Sequence, residues 1–336
     1  MHDRSIILIP PTIVVLLLIN ALLMWLIWWV GPYSEHINFV ADKGATWYFW
    51  QRPDPNWLTR LSAWGSFVAH QVFFWWLIYD AKTKKQRGTL NYSHRLQRHN
   101  YVALLGNLAF VLWHIIQTSL FYDGLAQDTH VFSGQFAVIL LLSLVLVLEN
   151  KRRGLLFGYR IGWLSNVQYL VKEYHGYYFS WAIIYTFWYH PIEITAGHML
   201  GTFYALMILT QGCLLYTRYH RNRYWTVLIE TFVFLHGAVV AYYSVYHNVW
   251  SMFAFGFLTM FIITGIYGLG LKRKTIAIIT GCYVLGLCVF YRTDITAMSE
   301  VVRIPIILLL VAIVLGALLY PVTHRNVTAK KQLKGE

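Results

Sequence analysis

Apolar residues run through this chain in blocks long enough to cross a bilayer, and polar residues collect in the breaks between them. A helix needs about 20 largely apolar residues to span a hydrocarbon core about 30 Å thick. Such blocks cover about 11–31, 59–80, 99–121, 131–150, 171–190, 196–217, 224–245, 249–270, 275–291 and 303–320. A chain in lipid must satisfy its backbone polar groups internally, so the blocks predict helices. The expected fold class is all-α, a polytopic membrane helical bundle of about ten transmembrane helices. The first block, IPPTIVVLLLINALLMWLIWWV, follows a short polar stretch and lacks a small-residue cleavage site, so it reads as an anchor.

Composition agrees: the 336 residues are 58% hydrophobic and only 12% charged, too few charges for a soluble domain of this length. A net charge of +13 suggests nucleic acid when it lies on a soluble face, but its distribution here excludes that partner. With the N-terminus inside, one set of connections holds Lys82, Lys84, Lys85, Arg87, Arg95 and Arg98, then Lys151, Arg152, Arg153, Arg160 and Lys172. The same side collects Arg218, Arg221, Arg223, Lys272, Arg273 and Lys274, and a tail with Arg325, Lys330, Lys331 and Lys334. The opposite side has only Lys43, Arg52, Arg60, Arg292 and Arg303, beside Asp123, Asp128 and Glu193. By the positive-inside rule both termini are expected in the cytoplasm of an integral membrane protein, in a bacterial inner or plasma membrane. The longest outer connection, about 32–58, carries an aromatic cluster from Trp47 to Trp50 suited to the membrane interface. Cys213, Cys282 and Cys288 form no CxxC or CxxCH motif, and no glycine-rich nucleotide fingerprint follows a strand, so no FAD or NAD(P) site is expected.

Among the fourteen histidines, two pairs share one spacing: His99 with His114, and His175 with His190, each fifteen residues apart. On a helix fifteen residues rise about 22 Å, most of the bilayer core. Both pairs bracket odd-numbered blocks running from cytoplasm to outside. His99 and His175 are therefore expected at an inner level, and His114 and His190 at an outer one. Two neutral imidazoles at each level are the donor set for bis-histidine haem b. Gly106 and Ala182, each seven residues beyond the first histidine of its pair, put small side chains on matching faces, where a flat macrocycle could approach. Arg95, Arg98 and Lys172 flank the inner level, where propionates need cations. Small residues also serve plain helix packing in membranes, and arginines at a membrane surface also serve topology.

HNYVALLGNLAFVLWH and HGYYFSWAIIYTFWYH, with the basic KRRGLLFGYR before the second, resemble the ferric reductase-like transmembrane domain shared by ferric reductases and NADPH oxidases. The resemblance covers about 59–217 and implies a haem-binding six-helix core with two histidines on its third span and two on its fifth. It implies a membrane di-haem b cytochrome, an oxidoreductase subunit carrying electrons outward from a cytoplasmic flavoprotein or a membrane quinol. The chain then divides into a haem-binding core, 1–217, and four additional helices with a short tail, 218–336. Family pairs are usually spaced thirteen or fourteen, and fifteen leaves two histidines about 60° out of line. Either a π-bulge in each helix absorbs the difference, or His94 or His198 is the true ligand.

Other intramembrane polar residues keep a second reading open, a haem-free membrane enzyme or transporter handling a lipid or isoprenoid. Glu230 is a costly carboxylate within a span, suited to a proton or a quinone headgroup; His236 lies mid-span, and His70, also mid-span, is either a replacement ligand or a satisfied core histidine. HPIEITAGH offers His190, Glu193 and His198 to a metal ion, although a loop of this size carries His and Glu by chance.

Overall fold

A computed structural model describes residues 9–31, 52–243 and 249–334, with side chains described as far as Thr323. Lys43, the Trp47–Trp50 cluster and the side chains of Arg325, Lys330, Lys331 and Lys334 lie outside the described residues. Ten α-helices occur among the described residues: α1 Pro11–Val30, α2 Trp57–Gln86, α3 Arg98–Phe121, α4 Val131–Arg153, α5 Leu164–Phe187, α6 Ala196–Cys213, α7 Arg223–Tyr243, α8 Trp250–Ile263, α9 Arg273–Phe290 and α10 Arg303–Lys334. No strand occurs among them. Six segments are long and apolar enough to cross a membrane: α1, α3, α4, α7, α9 and Ala297–Thr323. These are the helices of an integral membrane protein.

The helix starts follow local chemistry. Pro11 sits in the first turn of α1, where a missing N–H costs nothing. Asn56 caps α2 by accepting from the Leu58 and Thr59 amides at 3.0 and 3.1 Å, while the Thr59 hydroxyl oxygen accepts the Asn56 N–H at 3.1 Å. Lys84 and Lys85 fall in the last turn of α2, where cations suit the helix dipole.

Two helices depart from the apolar pattern. α5 stops at Phe187, before His190, because Pro191 disfavours helical backbone in the residue ahead of it. The two carbonyls it frees are taken by a turn after α3: the Leu125 amide donates to Trp188 at 3.0 Å and the Ala126 amide to Tyr189 at 2.8 Å. Gly124 makes that approach possible, since a Cβ there would lie 2.6 Å from the Tyr189 carbonyl oxygen. No π-helix occurs among the described residues; His99 and His114 both lie within α3, whereas His190 lies beyond the end of α5. α8 ends at Ile263, and a 3-10 turn, Gly265–Leu269, replaces the rest of the expected span.

The chain divides into two compact units, Met1–Val138 with Gly176–Ile229, and Ile139–His175 with Glu230–Glu336. In the first unit α1 meets α6 through Asn20, which donates to the Thr210 hydroxyl at 3.2 Å within the buried interface. α2 meets α3 where the Phe73 ring lies against Gly106 and the Trp113 indole donates to Ser66 at 2.7 Å. Asn100 ties α3 to the end of α6 by donating to the Cys213 carbonyl at 2.8 Å.

In the second unit the connection after α4 is a tight loop. Asn150 clamps it through both amide atoms on the Ile161 backbone at 3.0 Å, and the Phe157 amide donates to the Ile263 carbonyl at 2.8 Å. Gly154 has φ +77°, and a Cβ on it would lie 2.4 Å from the Gly158 carbonyl carbon. Replacing Gly154 by Ala should therefore cost about 1–3 kcal/mol, from left-handed strain and collision with backbone. Gly281 on α9 has nothing within 4 Å of its added Cβ, so Gly281→Ala should be neutral or stabilising. Thermal unfolding of the two detergent-solubilised variants checks the contrast.

Candidate functional site

The two levels expected for the histidine pairs differ sharply. At the start of α3, His99 is half-buried and its Nε2 lies 2.9 Å from the Leu215 carbonyl, which also accepts from Asn100 at 2.9 Å. A ring nitrogen held on a carbonyl is an N–H, so this nitrogen offers no lone pair. The surface of Gly106 is covered, because a Cβ there would come within 2.1 Å of the Phe73 ring. Arg95 and Arg98 are exposed. His175 belongs to the second unit, where its Nδ1 donates to the Lys172 carbonyl at 2.7 Å, and the Lys172 side chain is exposed. Ala182 is buried. On α3, then, His99 Nε2 is engaged and the glycine face expected to admit the macrocycle holds a phenyl ring.

At the far end of α3 the chemistry is reversed. His114 is 1% exposed, and its Nδ1 lies 3.1 Å from Gln117 Oε1. The Gln117 amide has one possible orientation. Its Nε2 donates to the Asp123 carbonyl at 2.9 Å and to the Ser62 hydroxyl at 3.1 Å, and that hydroxyl gives its own proton to the Thr59 carbonyl at 2.7 Å. Oxygen must therefore face His114, so Nδ1 is the protonated nitrogen and Nε2 carries the lone pair. That Nε2 is buried with no hydrogen-bond partner. A second ring nitrogen fixed by an oxygen acceptor is the usual way an imidazole ligand is oriented.

A polar clamp anchors this end. Arg60 pairs with both Asp123 and Asp128 and donates to the Gly124 carbonyl at 2.9 Å. The Trp64 indole donates to Asp128 at 2.8 Å, and Asp123 accepts the Gly124 amide at 2.8 Å. Burial pushes the Asp123 carboxyl above its ordinary range despite the pull of Thr59 and Arg60. Burial opposes ionisation of Asp128 too, but hydrogen bonds from Arg60 and Trp64 and the Arg60 charge hold it below.

His190 reaches the same neighbourhood from the turn after α5. Its Nδ1 lies 2.9 Å from the Pro191 carbonyl and 2.9 Å from His198 Nε2; when the carbonyl takes the Nδ1 proton, the lone pair falls on Nε2. The His198 ring meets it edge to face, 4.1 Å between centroids, with His198 Nε2 at 3.2 Å from His190 Nε2. His114 lies within electrostatic reach of His190 and packs on Phe187 and Trp188, at 4.8 and 4.3 Å between centroids. Glu193 turns away to the Tyr122 hydroxyl, where burial raises its pKa, and the Ile192 amide donates to Thr118 at 3.0 Å to pin the loop on α3.

His70 closes the group from α2. It is fully buried and stacks on Phe110 at 4.2 Å. The Trp188 indole donates to its Nδ1 at 3.2 Å, so its Nε2 bears the proton and has no acceptor. The outer end thus gathers His70, His114, His190 and His198. Glu230 and His236 lie in the second unit, and Glu230 pairs with the buried Arg153. Exposed His94 is not among the outer group. Sequence reasoning missed Gln117, although a glutamine three residues beyond a histidine shares its helix face. It counted Arg60 only as a topological charge.

No three His, Cys, Asp or Glu side chains among the described residues are arranged to hold a metal ion. A bare zinc-like ion takes three or four protein ligands, whereas haem asks the protein for two axial imidazoles. The outer donor set, the buried His114 with its lone pair on Nε2 and the half-buried His190, fits the second requirement. No protein family, curated protein or solved structure matches the chain.

Changing Arg60 to Gln leaves Asp123 buried without its counter-ion and should cost about 3 kcal/mol or more. Without that cation the folded-state pKa of Asp123 rises further above its unfolded value. Folding then takes up a proton, and the deficit should shrink as pH falls. Thermal unfolding across pH tests this, with the Arg60→Gln/Asp123→Asn double variant recovering part of the loss.

Proposed function

We propose that this chain is a membrane electron-transfer protein of the b-cytochrome kind, in which His114 and His190 would hold one haem b at the outer level. The carrying observation is the buried His114 Nε2, which has a lone pair and no partner while Gln117 holds the other nitrogen. When bound, haem supplies reversible one-electron chemistry. Gln117 and the Pro191 carbonyl orient the two imidazoles, Phe187 and Trp188 keep water from His114, and His198 lies beside His190 as the alternative ligand. The basic connections support a topology of about ten spans with both termini in the cytoplasm.

The inner pair, His99 and His175, is left out of this reading, since the Phe73 ring covers the Gly106 face that a macrocycle beside His99 would need. A cytoplasmic flavoprotein would then face a gap of about 22 Å to the outer level, which favours a membrane-soluble quinol as donor.

The test is haem content. Protein purified from haem-replete cells should be red, with about one haem b per chain by pyridine haemochrome assay. His114→Ala and His190→Ala should each abolish the low-spin spectrum, and His99→Ala and His175→Ala should leave it intact. Loss of half the haem in each of the four variants would restore the two-haem arrangement. A colourless protein would overturn the proposal and favour the haem-free lipid enzyme or transporter.

A further inference from the structure

The second unit contains a cavity of about 50 Å³ that the outer histidines do not share. Its walls include Leu142, Val145, Val233, Phe257, Met260 and Leu308, and its charged lining is Arg153 and Glu230. Arg153, the last residue of α4, has a side chain only 2% exposed and pairs through its Nη1 with the Glu230 carboxylate. Its Nε, also buried, has no hydrogen-bond partner. A buried N–H of a charged group is expensive to leave unbonded, so an acceptor is called for beside the cavity.

The acceptor's chemistry follows from charge and volume. Glu230 already neutralises the guanidinium, so an anionic ligand would leave an uncompensated negative charge in an apolar surround, and a cation the reverse. Water needs two to four polar partners. Of the two hydroxyls in the lining, Thr231 and Thr264, that of Thr264 is already spent on the Met260 carbonyl at 3.0 Å, and most of the remaining wall is hydrocarbon. The volume equals roughly three or four water-sized spheres, enough for a carbonyl and its adjoining carbons but not for a whole lipid.

We propose that this cavity binds the carbonyl end of a neutral, apolar molecule, with the Arg153 Nε–H as donor and the rest of the ligand extending outside. The carbonyl can come from a quinone ring or from the ester of a neutral lipid. The proposal does not rest on haem being present.

Binding to the full-length protein in detergent micelles is followed by intrinsic tryptophan fluorescence, with decylbenzoquinone, dioctanoylglycerol and carbonyl-free decylbenzene as separate probes. At least one carbonyl probe should bind about ten-fold more tightly than decylbenzene, and which one does so identifies the source. Arg153→Lys keeps the ion pair's charge but removes the Nε–H, and Val233→Phe fills the cavity without touching the pair. Each should weaken the carbonyl probe about ten-fold with an unchanged circular dichroism spectrum. Should Arg153→Lys fail to fold, Val233→Phe alone decides. Equal affinity for decylbenzene, or full affinity in folded Val233→Phe protein, overturns the proposal.

Discussion

Between Ser62, the Asp123 carbonyl and His114, the Gln117 side chain has a single arrangement of donors and acceptor open to it, and the outer end of the first unit is organised around that arrangement. The amide cannot rotate without setting its oxygen against the Asp123 carbonyl. The His114 tautomer follows from this, and with it the direction of the one lone pair buried there. In water such a constraint would be weak, because solvent could replace any partner. Inside an apolar packing of Phe187, Trp188 and Phe110 it is rigid, since a lost bond has no substitute.

Charge is handled in the same way in both units. Arg60 and Arg153 sit among connections whose basic residues read as orienting signals, and both are drawn inward by carboxylates distant in sequence. Arginine suits this role because its planar fork can serve several acceptors at once, as Arg60 does with Asp123, Asp128 and the Gly124 carbonyl. At Arg153 the fork is only partly used. A basic residue near a membrane surface can therefore be a topological signal and an internal strut together.

Much of the fold was legible in the sequence. Apolar blocks mark all ten helices, and α1, α3 and α9 begin and end within two residues of their blocks. The misses have separate physical causes. The α5 end was set by Pro191, a local rule overlooked because the apolar run continues through Tyr189. The early end of α8 falls where Thr264, Gly265, Gly268 and Gly270 break an otherwise apolar run, so hydropathy hid what glycine spacing showed. The Phe73 ring over Gly106 was not legible at all, for a tertiary neighbour leaves no mark on either helix's own pattern. At the site, the gathering of His114 with His190 was expected and His70 was weighed as a ligand or a core histidine, but its bond from Trp188 was not legible, because nothing in α2 alone names the indole that meets it.

The placement of His190 beyond the last turn of α5 separates the imidazole from the helix that delivers it. A residue inserted within a helix rotates everything after it by about 100° and would swing a helical ligand off its target. His190 is held instead by the Pro191 carbonyl, by a loop pinned on α3 through Thr118, and by amides of the Leu125 turn on the carbonyls just before it. Changes of length or register along α5 can thus be taken up where the helix gives way to the turn 188–190, while the ring keeps its bearing on α3. The geometry of the pair is a property of one loop and one helix, and the sequence of α5 is correspondingly freer to vary in response to the lipid around it.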